Sequence, residues 1–332
     1  MIITQTPHRI SFFGGGTDYP GYYLKHGGKV LGGAIDKYCY LNVRRLPPFF
    51  KHKHRIVYSL QENVNELSEI RHPSVRETLK HLGIEYGVSI HHDGDIPAFS
   101  GMGSSSAFTV GLLNGLMALD GRMISKHELA MEAIFIEQQL IKENVGSQDQ
   151  TFAAHGGLNV IEFLANGEIV VTPVVMPRDR LAQLESRLLL FFSGTDRIAS
   201  DVAAEQVSNI GQNEATLHQM KAIVDEGVRI LTTPETPLVE FGRLLHRNWI
   251  LKRKLSSRIT TRGVDEMYDK AIAAGATGGK LLGAGGGGFV LIFVEPECRA
   301  SVCGALAGYI RIPVKFDFNG SKIIVYQPDS PG

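Results

Sequence analysis

A loop rich in glycine and serine, IPAFSGMGSSSAF at residues 96–108, lies between an apolar run and a helical pattern. Phe108, Leu112, Leu113, Leu116 and Leu119 recur at helical spacing, which puts the serines at a helix N-terminus. The first N–H groups of a helix have no partner inside it and the dipole adds positive potential, so an anion is stabilised there. Gly101 and Gly103 let the backbone wrap closely round such an anion, and Ser104, Ser105 and Ser106 add hydroxyls. The pattern reads as a phosphate cradle; the competing reading is a serine cap alone. It is not a Walker loop, because no lysine stands in it. Nor is it a dinucleotide fingerprint, because no acidic residue ends a following strand at the required distance.

Two further glycine-rich stretches and one isolated carboxylate complete the set. TPHRISFFGGGTDYP, at residues 6–20, runs strand-like residues from Arg9 to Phe13 into Gly14, Gly15 and Gly16, then Thr17, Asp18 and Tyr19. A bare backbone can approach a ligand there while Asp18 accepts hydrogen bonds from hydroxyls, as a sugar offers; a simple turn is the alternative. GGKLLGAGGGGFVLIF has six glycines within residues 279–288, Gly285 and Gly286 among them, too many for one turn. Their entropic cost suggests a backbone fitted against something, with a flexible loop as the alternative. In ENVGSQDQTF, residues 143–152, Asp149 stands between two glutamines with no partner in the local sequence.

The elements that must hold these residues are mixed strands and helices without regular alternation. A chain of 332 residues with 43% hydrophobic content suits two packed domains, and the charged stretch PRDRLAQLESR marks the boundary, giving 1–185 and 186–332. The first third reads as sheet, and apolar spacing predicts helices over 104–119 and 126–141. Asn166-Gly167 between two apolar runs predicts a hairpin. Thr236-Pro237 predicts a capped helix start leading through Trp249, and a second helix runs from about Val264 to Ala274 with Gly275 as its stop. LLLFFSG, FVLIFVEP and IPVKFDF read as strands, and Asn319-Gly320 as a closing hairpin. Lysine plus arginine equal aspartate plus glutamate at 34 each, so no global field points to nucleic acid or an anionic membrane. Cys39, Cys298 and Cys303 lack metal-ligand spacing and cannot all pair, which favours a reducing compartment. With no leader and no spanning run, the expectation is a cytoplasmic protein.

Taken together, in order and over nearly the whole chain, the three glycine-rich stretches resemble the three motifs of the GHMP small-molecule kinases. The resemblance implies an α+β fold with an N-terminal domain like the second domain of ribosomal protein S5 and a ferredoxin-like C-terminal domain. It implies ATP and Mg²⁺ as cofactors and phosphorylation of a small hydroxyl compound. By the same resemblance Asp149 in VGSQDQ is the catalytic base, Arg9 neutralises charge near the acceptor, and Ser105 and Glu137 hold magnesium. Glu137 stands one residue further from the aspartate than in mevalonate kinase, which keeps Glu143 as a rival. GGGTDYP is similar to the GEHTDY of galactokinases, making Asp18 a sugar ligand, with Gly15 in place of the glutamate and Gly16 beside it. RISFFGGGTDYP, LKRKLSSRIT and GGKLLGAGGGGF are most similar to the branch that phosphorylates heptose 7-phosphate at its anomeric hydroxyl, with fucokinase-type enzymes next. Lys252 and Arg253 are the expected grip on the sugar phosphate, against a solvated helix end, while Gly285 and Gly286 are placed at the substrate. The partners are then a sugar phosphate and ATP, without nucleic acid or membrane, and a homo-oligomer stays open. A silent relative that only binds nucleotide or sugar is the alternative class, disfavoured by the joint presence of Asp149, Ser105 and Glu137.

Overall fold

The structure, a computed structural model, describes residues 1–97, 100–194 and 199–327. The chain opens with β1 (Ile2–Phe13), α1 (Pro20–His26), β2 (Gly28–Arg45), β3 (His54–Val57), β4 (Gln61–Val64), α2 (Pro73–His81) and β5 (Val88–Gly94). It continues with α3 (Ser104–Leu119), α4 (Lys126–Phe135), α5 (Gln148–His155), β6 (Leu158–Phe163), β7 (Ile169–Pro173) and α6 (Arg178–Arg187). Then follow β8 (Leu188–Phe192), α7 (Ala199–Ser208), α8 (Glu214–Thr232), α9 (Val239–Lys252) and α10 (Arg262–Ala273). The chain ends with β9 (Ala276–Leu281), β10 (Phe289–Val294), α11 (Arg299–Ala305), β11 (Ile310–Ile312) and β12 (Lys322–Tyr326).

β1 and β2 pair antiparallel along their length and carry most of the first sheet, ordered β12-β1-β2-β5-β3-β4, with β6 and β7 extending it beyond the far half of β2. α3 lies against this sheet and is apolar almost all round, as a helix buried on several sides must be. Its glycines set the approach: a Cβ on Gly111 would stand 2.7 Å from Thr6 Oγ1, and one on Gly115 would stand 3.2 Å from Val43. The Thr4 hydroxyl donates to the Gly111 carbonyl at 3.1 Å, closing the contact. The loop ahead of α3 is tied to the middle of β1 by the Arg9 backbone N–H, which donates to the Met102 carbonyl at 3.2 Å.

The second sheet, ordered β11-β8-β10-β9, is antiparallel; numbered within itself it runs 4-1-3-2, the ferredoxin-like arrangement. The two sheets share a continuous core in which Phe12 and Phe13 of β1 meet Phe241 of α9 edge-on at 5.2 and 5.0 Å. Such ring geometry suits aromatic quadrupoles and adds to area burial.

The 104–119 helix, the Asn166-Gly167 hairpin and the LLLFFSG and FVLIFVEP strands stand where the sequence placed them. Other expectations change. The charged stretch taken as the boundary is the helix α6, and Arg180 inside it is buried, donating to carbonyls of Leu231, Pro234 and Thr236. The 126–141 helix converts at Ile136 into a π turn, residues Ile136–Ile141. Thr236 does not cap α9, whose N-cap is Leu238. Of IPVKFDF only Ile312 pairs in a strand, because Pro313 has no N–H for the ladder; Phe316 keeps one bridge to Ile35. Asn319-Gly320 closes no hairpin: Asp317 accepts from both backbone N–H groups at 2.9 Å, and the turn sends β12 back to pair with β1. Residues 322–326, expected in the second domain, thus belong to the first sheet; residues 328–332 lie outside the described part.

Candidate active site

The loop ahead of α3 is shaped for close backbone approach. Gly101 and Gly103 take φ values of 79° and 75°, a region that L side chains reach only with strain. Gly103 is the N-cap of α3 and no side chain caps it, so the first-turn N–H groups keep their capacity for an anion. The serines do other work than capping: Ser104 and Ser100 hydroxyls meet at 3.2 Å, Ser106 donates to Glu137 Oε2 at 2.9 Å, and Ser105 is exposed.

Arg9 and Asp149 lie directly against this loop. Arg9 donates through Nε and Nη2 to the two oxygens of Asp149, at 2.7 and 2.6 Å, and through Nη1 to the Gly101 carbonyl at 2.8 Å. A bidentate guanidinium–carboxylate pair fixes the plane of the carboxylate as well as its position. Arg9 is buried, whereas the Asp149 side chain keeps 24% of its surface exposed, enough for an acceptor to reach it. A Cβ on Gly103 would stand 3.3 Å from Asp149 Oδ2, so the cradle and the carboxylate are near neighbours. Asp149 had no partner in local sequence because its partner is 140 residues away.

Asp18 is the second carboxylate of the site. It accepts from Gly16 N–H at 2.9 Å and from Gln148 Nε2 at 2.9 Å, and Gly146 packs so closely that any Cβ there would collide with Oδ2. Burial, reinforced by the Asp149 charge, pushes its carboxyl above the usual range. Gly15 sits above Ser11 and Gln148. Tyr19, given no role of its own in the sequence, has its hydroxyl pushed up by burial and by the Asp18 and Asp149 charges. A small cavity opens beside it, lined by Gly16, Tyr19, Gln206, Asn213, Leu217 and Leu255 among others.

Glu137 is fully buried within the π turn and accepts from Ser106 and from the Gln150 side-chain amide. Its Oε1 has no partner among the described residues, and burial pushes its carboxyl up to about 7, with the Glu143 charge adding to the shift. An all-oxygen set with an under-satisfied carboxylate fits a hard cation such as Mg²⁺. Glu143 is only half-buried; its N–H donates to the Glu137 carbonyl at 2.9 Å.

A folded-state pKa above the unfolded value contributes stability that is complete at low pH and is lost as pH rises through the folded value. For Glu137 that loss runs from about 4.5 to about 7, and Asp18 and Glu143 shift in the same direction. The metal-free protein should therefore lose Tm as pH rises from about 5 to about 7.5. Glu137→Gln should flatten the upper part of that decline; an unaltered slope would mean that Glu137 ionises freely.

Two lysines join the glycine motifs to one another. Lys252 is buried, and its ammonium donates to the carbonyls of Leu281 and Gly283, at 2.8 and 2.5 Å. Burial, with Arg9 nearby, lowers its pKa to about 7. Lys280, which the sequence reading passed over, donates to the carbonyls of Ser11 and Phe12 at 2.8 and 2.9 Å; burial holds it well below the ordinary lysine range. Gly283 packs on Gly101, where a Cβ would stand 2.5 Å from its Cα, so the third motif backs the phosphate loop. Gly285 and Gly286 lie instead against Ile259, with Gly286 N–H donating to its carbonyl at 3.0 Å. Arg253 is half-exposed, 3.4 Å from Asp265 and over the Trp249 ring at 5.9 Å.

Comparison with known proteins decides the family. A profile described as the GHMP kinases N terminal domain matches residues 71–157, and the GHMP kinases C terminal profile matches residues 233–306. The chain belongs to the GHMP kinases. This kinase is 28% identical over 340 residues to a D-glycero-alpha-D-manno-heptose 7-phosphate kinase of Campylobacter jejuni, covering 97% of each chain. It is 26% identical over 323 residues to a bifunctional fucokinase/GDP-fucose pyrophosphorylase of Arabidopsis thaliana, covering 89% of this chain and 30% of that protein. The crystal structure of a D-glycero-D-manno-heptose 1-phosphate kinase from Bacteroides thetaiotaomicron shares its fold with a TM-score of 0.79 at 24% identity, over 97% of this chain and 98% of that one. The fold is thus the α+β GHMP layout, and the kinase uses ATP as the family does. Among the described residues no helix is long and apolar enough to cross a membrane.

Proposed function

We propose that this kinase transfers the γ-phosphoryl group of ATP to the anomeric hydroxyl of a sugar phosphate, D-glycero-D-manno-heptose 7-phosphate, giving the 1,7-bisphosphate. The observation that carries the reading is the Arg9–Asp149 pair set against the uncapped N-terminus of α3. Phosphoryl transfer asks the protein mainly for positioning and charge stabilisation. The α3 N-terminus and Gly101–Gly103 hold the triphosphate, and the exposed Ser105 hydroxyl stands at their edge. Asp149 orients the acceptor hydroxyl and takes its proton; Arg9 fixes the carboxylate and offsets charge that develops beside it. Asp18 and Tyr19 offer an acceptor and a hydroxyl to the sugar. Mg²⁺, when bound, would neutralise phosphate charge, and Glu137 with Ser105 or Ser106 would hold it.

The sugar-phosphate acceptor rests on the likeness to the Campylobacter jejuni enzyme over 97% of each chain. Lys252 is engaged with backbone carbonyls, so of the two basic residues proposed as the phosphate grip, Arg253, half-exposed beside Asp265, is the one a ligand can reach from solvent. Steady-state kinetics on heptose 7-phosphate, free heptose, fucose and galactose test the assignment. The terminal phosphate should supply binding energy that positions the anomeric hydroxyl, so free heptose should lose kcat as well as affinity. Arg253→Gln should cost the phosphorylated acceptor ~10-fold or more, the worth of about 1.5–3 kcal/mol for a charge-assisted bond, and leave free heptose nearly unchanged. Equal losses on both acceptors would place the phosphate elsewhere, and a preference for free fucose would move the assignment to the fucokinase branch.

A further inference from the structure

Away from Asp149, on the outer side of α1 and α8, His26, Glu214 and His218 bring three potential ligand atoms within 4.8 Å of one another. We propose that they form a site for a divalent transition metal of the Zn²⁺ class, which would fasten α1 to α8. His26 Nε2 lies 3.3 Å from Glu214 Oε1. Two ligands each about 2.0–2.1 Å from a tetrahedral ion stand about 3.3–3.4 Å apart, so this pair already spans one edge of such a site.

The third ligand is oriented in the manner that metal-bound histidines require. His218 Nδ1 lies 2.7 Å from the Glu214 carbonyl, one turn earlier on α8. A carbonyl can only accept, so Nδ1 carries the proton and Nε2 presents its lone pair. A backbone carbonyl fixing the tautomer of a ligating imidazole is the usual outer support of zinc sites.

A separate observation points to something bound there. Tyr22 is fully buried, its hydroxyl has no hydrogen-bond partner among the described residues, and its ring packs 5.1 Å from His26 and 5.6 Å from His218. A buried hydroxyl without a partner costs roughly 1–3 kcal/mol. Two imidazoles and one carboxylate leave a fourth position open on a tetrahedral ion for water, a group able to pair with a neighbouring hydroxyl such as that of Tyr22. Softness favours the same class of ion: imidazole suits Zn²⁺, whereas Mg²⁺ takes oxygen. The consequence is positional. α1 begins one residue after Tyr19, and α8 begins one residue after Asn213, both of which line the cavity described above. Lys221 of α8 already donates to the His26 and Gly27 carbonyls at 2.7 and 3.1 Å.

The test is a titration of the chelator-treated full-length protein with Zn²⁺ alone, against a chromophoric chelator, with millimolar Mg²⁺ present throughout. One ion per chain should bind and raise Tm, and Co²⁺ in its place should give the intense visible bands of a tetrahedral site. His218→Asn, at an exposed position, should keep the fold and the MgATP turnover while weakening Zn²⁺ by at least the ~10–100-fold that loss of even an outer-shell partner costs. Absence of stoichiometric binding by the wild-type chain would overturn the proposal. Undiminished binding by the His26→Asn/His218→Asn pair would also overturn it, because the ion would then sit at the cysteines or at Glu137.

Discussion

Asp149→Asn should bind ATP much as the wild-type kinase does and turn over ~10²–10⁴-fold more slowly, the range expected for loss of a general base. The amide keeps the size of the carboxylate and can still accept one of the two hydrogen bonds that Arg9 donates, but it cannot take a proton from the acceptor hydroxyl. Because the interaction lost matters most in the transition state, kcat and kcat/KM should fall together. Near-normal turnover at saturating substrates would make Asp149 a structural partner of Arg9 and remove it from the chemistry.

Arg9→Leu should cost a comparable factor for a different reason. The guanidinium holds both Asp149 and the carbonyl of Gly101, so its loss frees the carboxylate and the phosphate loop together. A misplacement of about 1 Å at a reacting group is worth ~10²-fold, and loss of the positive charge adds to that. The two residues act as a unit, so the Arg9→Leu/Asp149→Asn pair should be little slower than the slower single variant. Arg9→Lys keeps the charge without the planar fork and should fall between wild type and Arg9→Leu. Losses that multiply in the double variant would show that the pair acts independently.

The motifs were legible because glycine and serine write backbone geometry directly into sequence. The glycine–serine loop leads directly into a helix, as its sequence implied, and the start of α3 at Ser104 followed from apolar spacing alone. What local pattern does not carry is which distant chain segment meets which. Asp149 lies in the first turn of an eight-residue helix, too short for periodicity to declare, and its pairing with Arg9 is a tertiary fact. The serine register turns on helix phase: Ser106 points inward to Glu137 and Ser105 outward, a difference of one residue that composition cannot resolve. Nor does apolar spacing announce the π turn at Ile136–Ile141 that carries Glu137.

Lys252 was read as a grip on the sugar phosphate, against a solvated helix end, and both readings assumed an exposed side chain, as lysine near a helix C-terminus usually has. Here the Gly278–Gly279 strand approaches α9 so closely that a Cβ on Gly278 would stand 2.0 Å from the Gly242 carbonyl, and the lysine is enclosed. Lys280 carried a signal that the reading did not use: a lone lysine inside the apolar, glycine-rich strand β9 must either break the sheet face or find buried carbonyls. The return of β12 to β1 joins residues more than 300 positions apart, and no property of Lys322–Tyr326 alone reports it.

The central claim, phosphorylation of a sugar phosphate at its anomeric oxygen, is tested most directly by the identity of the product. Purified kinase, MgATP and D-glycero-D-manno-heptose 7-phosphate are followed by ³¹P NMR with proton coupling. The account predicts a second phosphomonoester signal split by the anomeric proton, one ADP formed for each, and no new signal with Asp149→Asn over the same time. A new phosphate coupled to any other sugar proton would contradict it, as would ADP formation that is independent of the sugar.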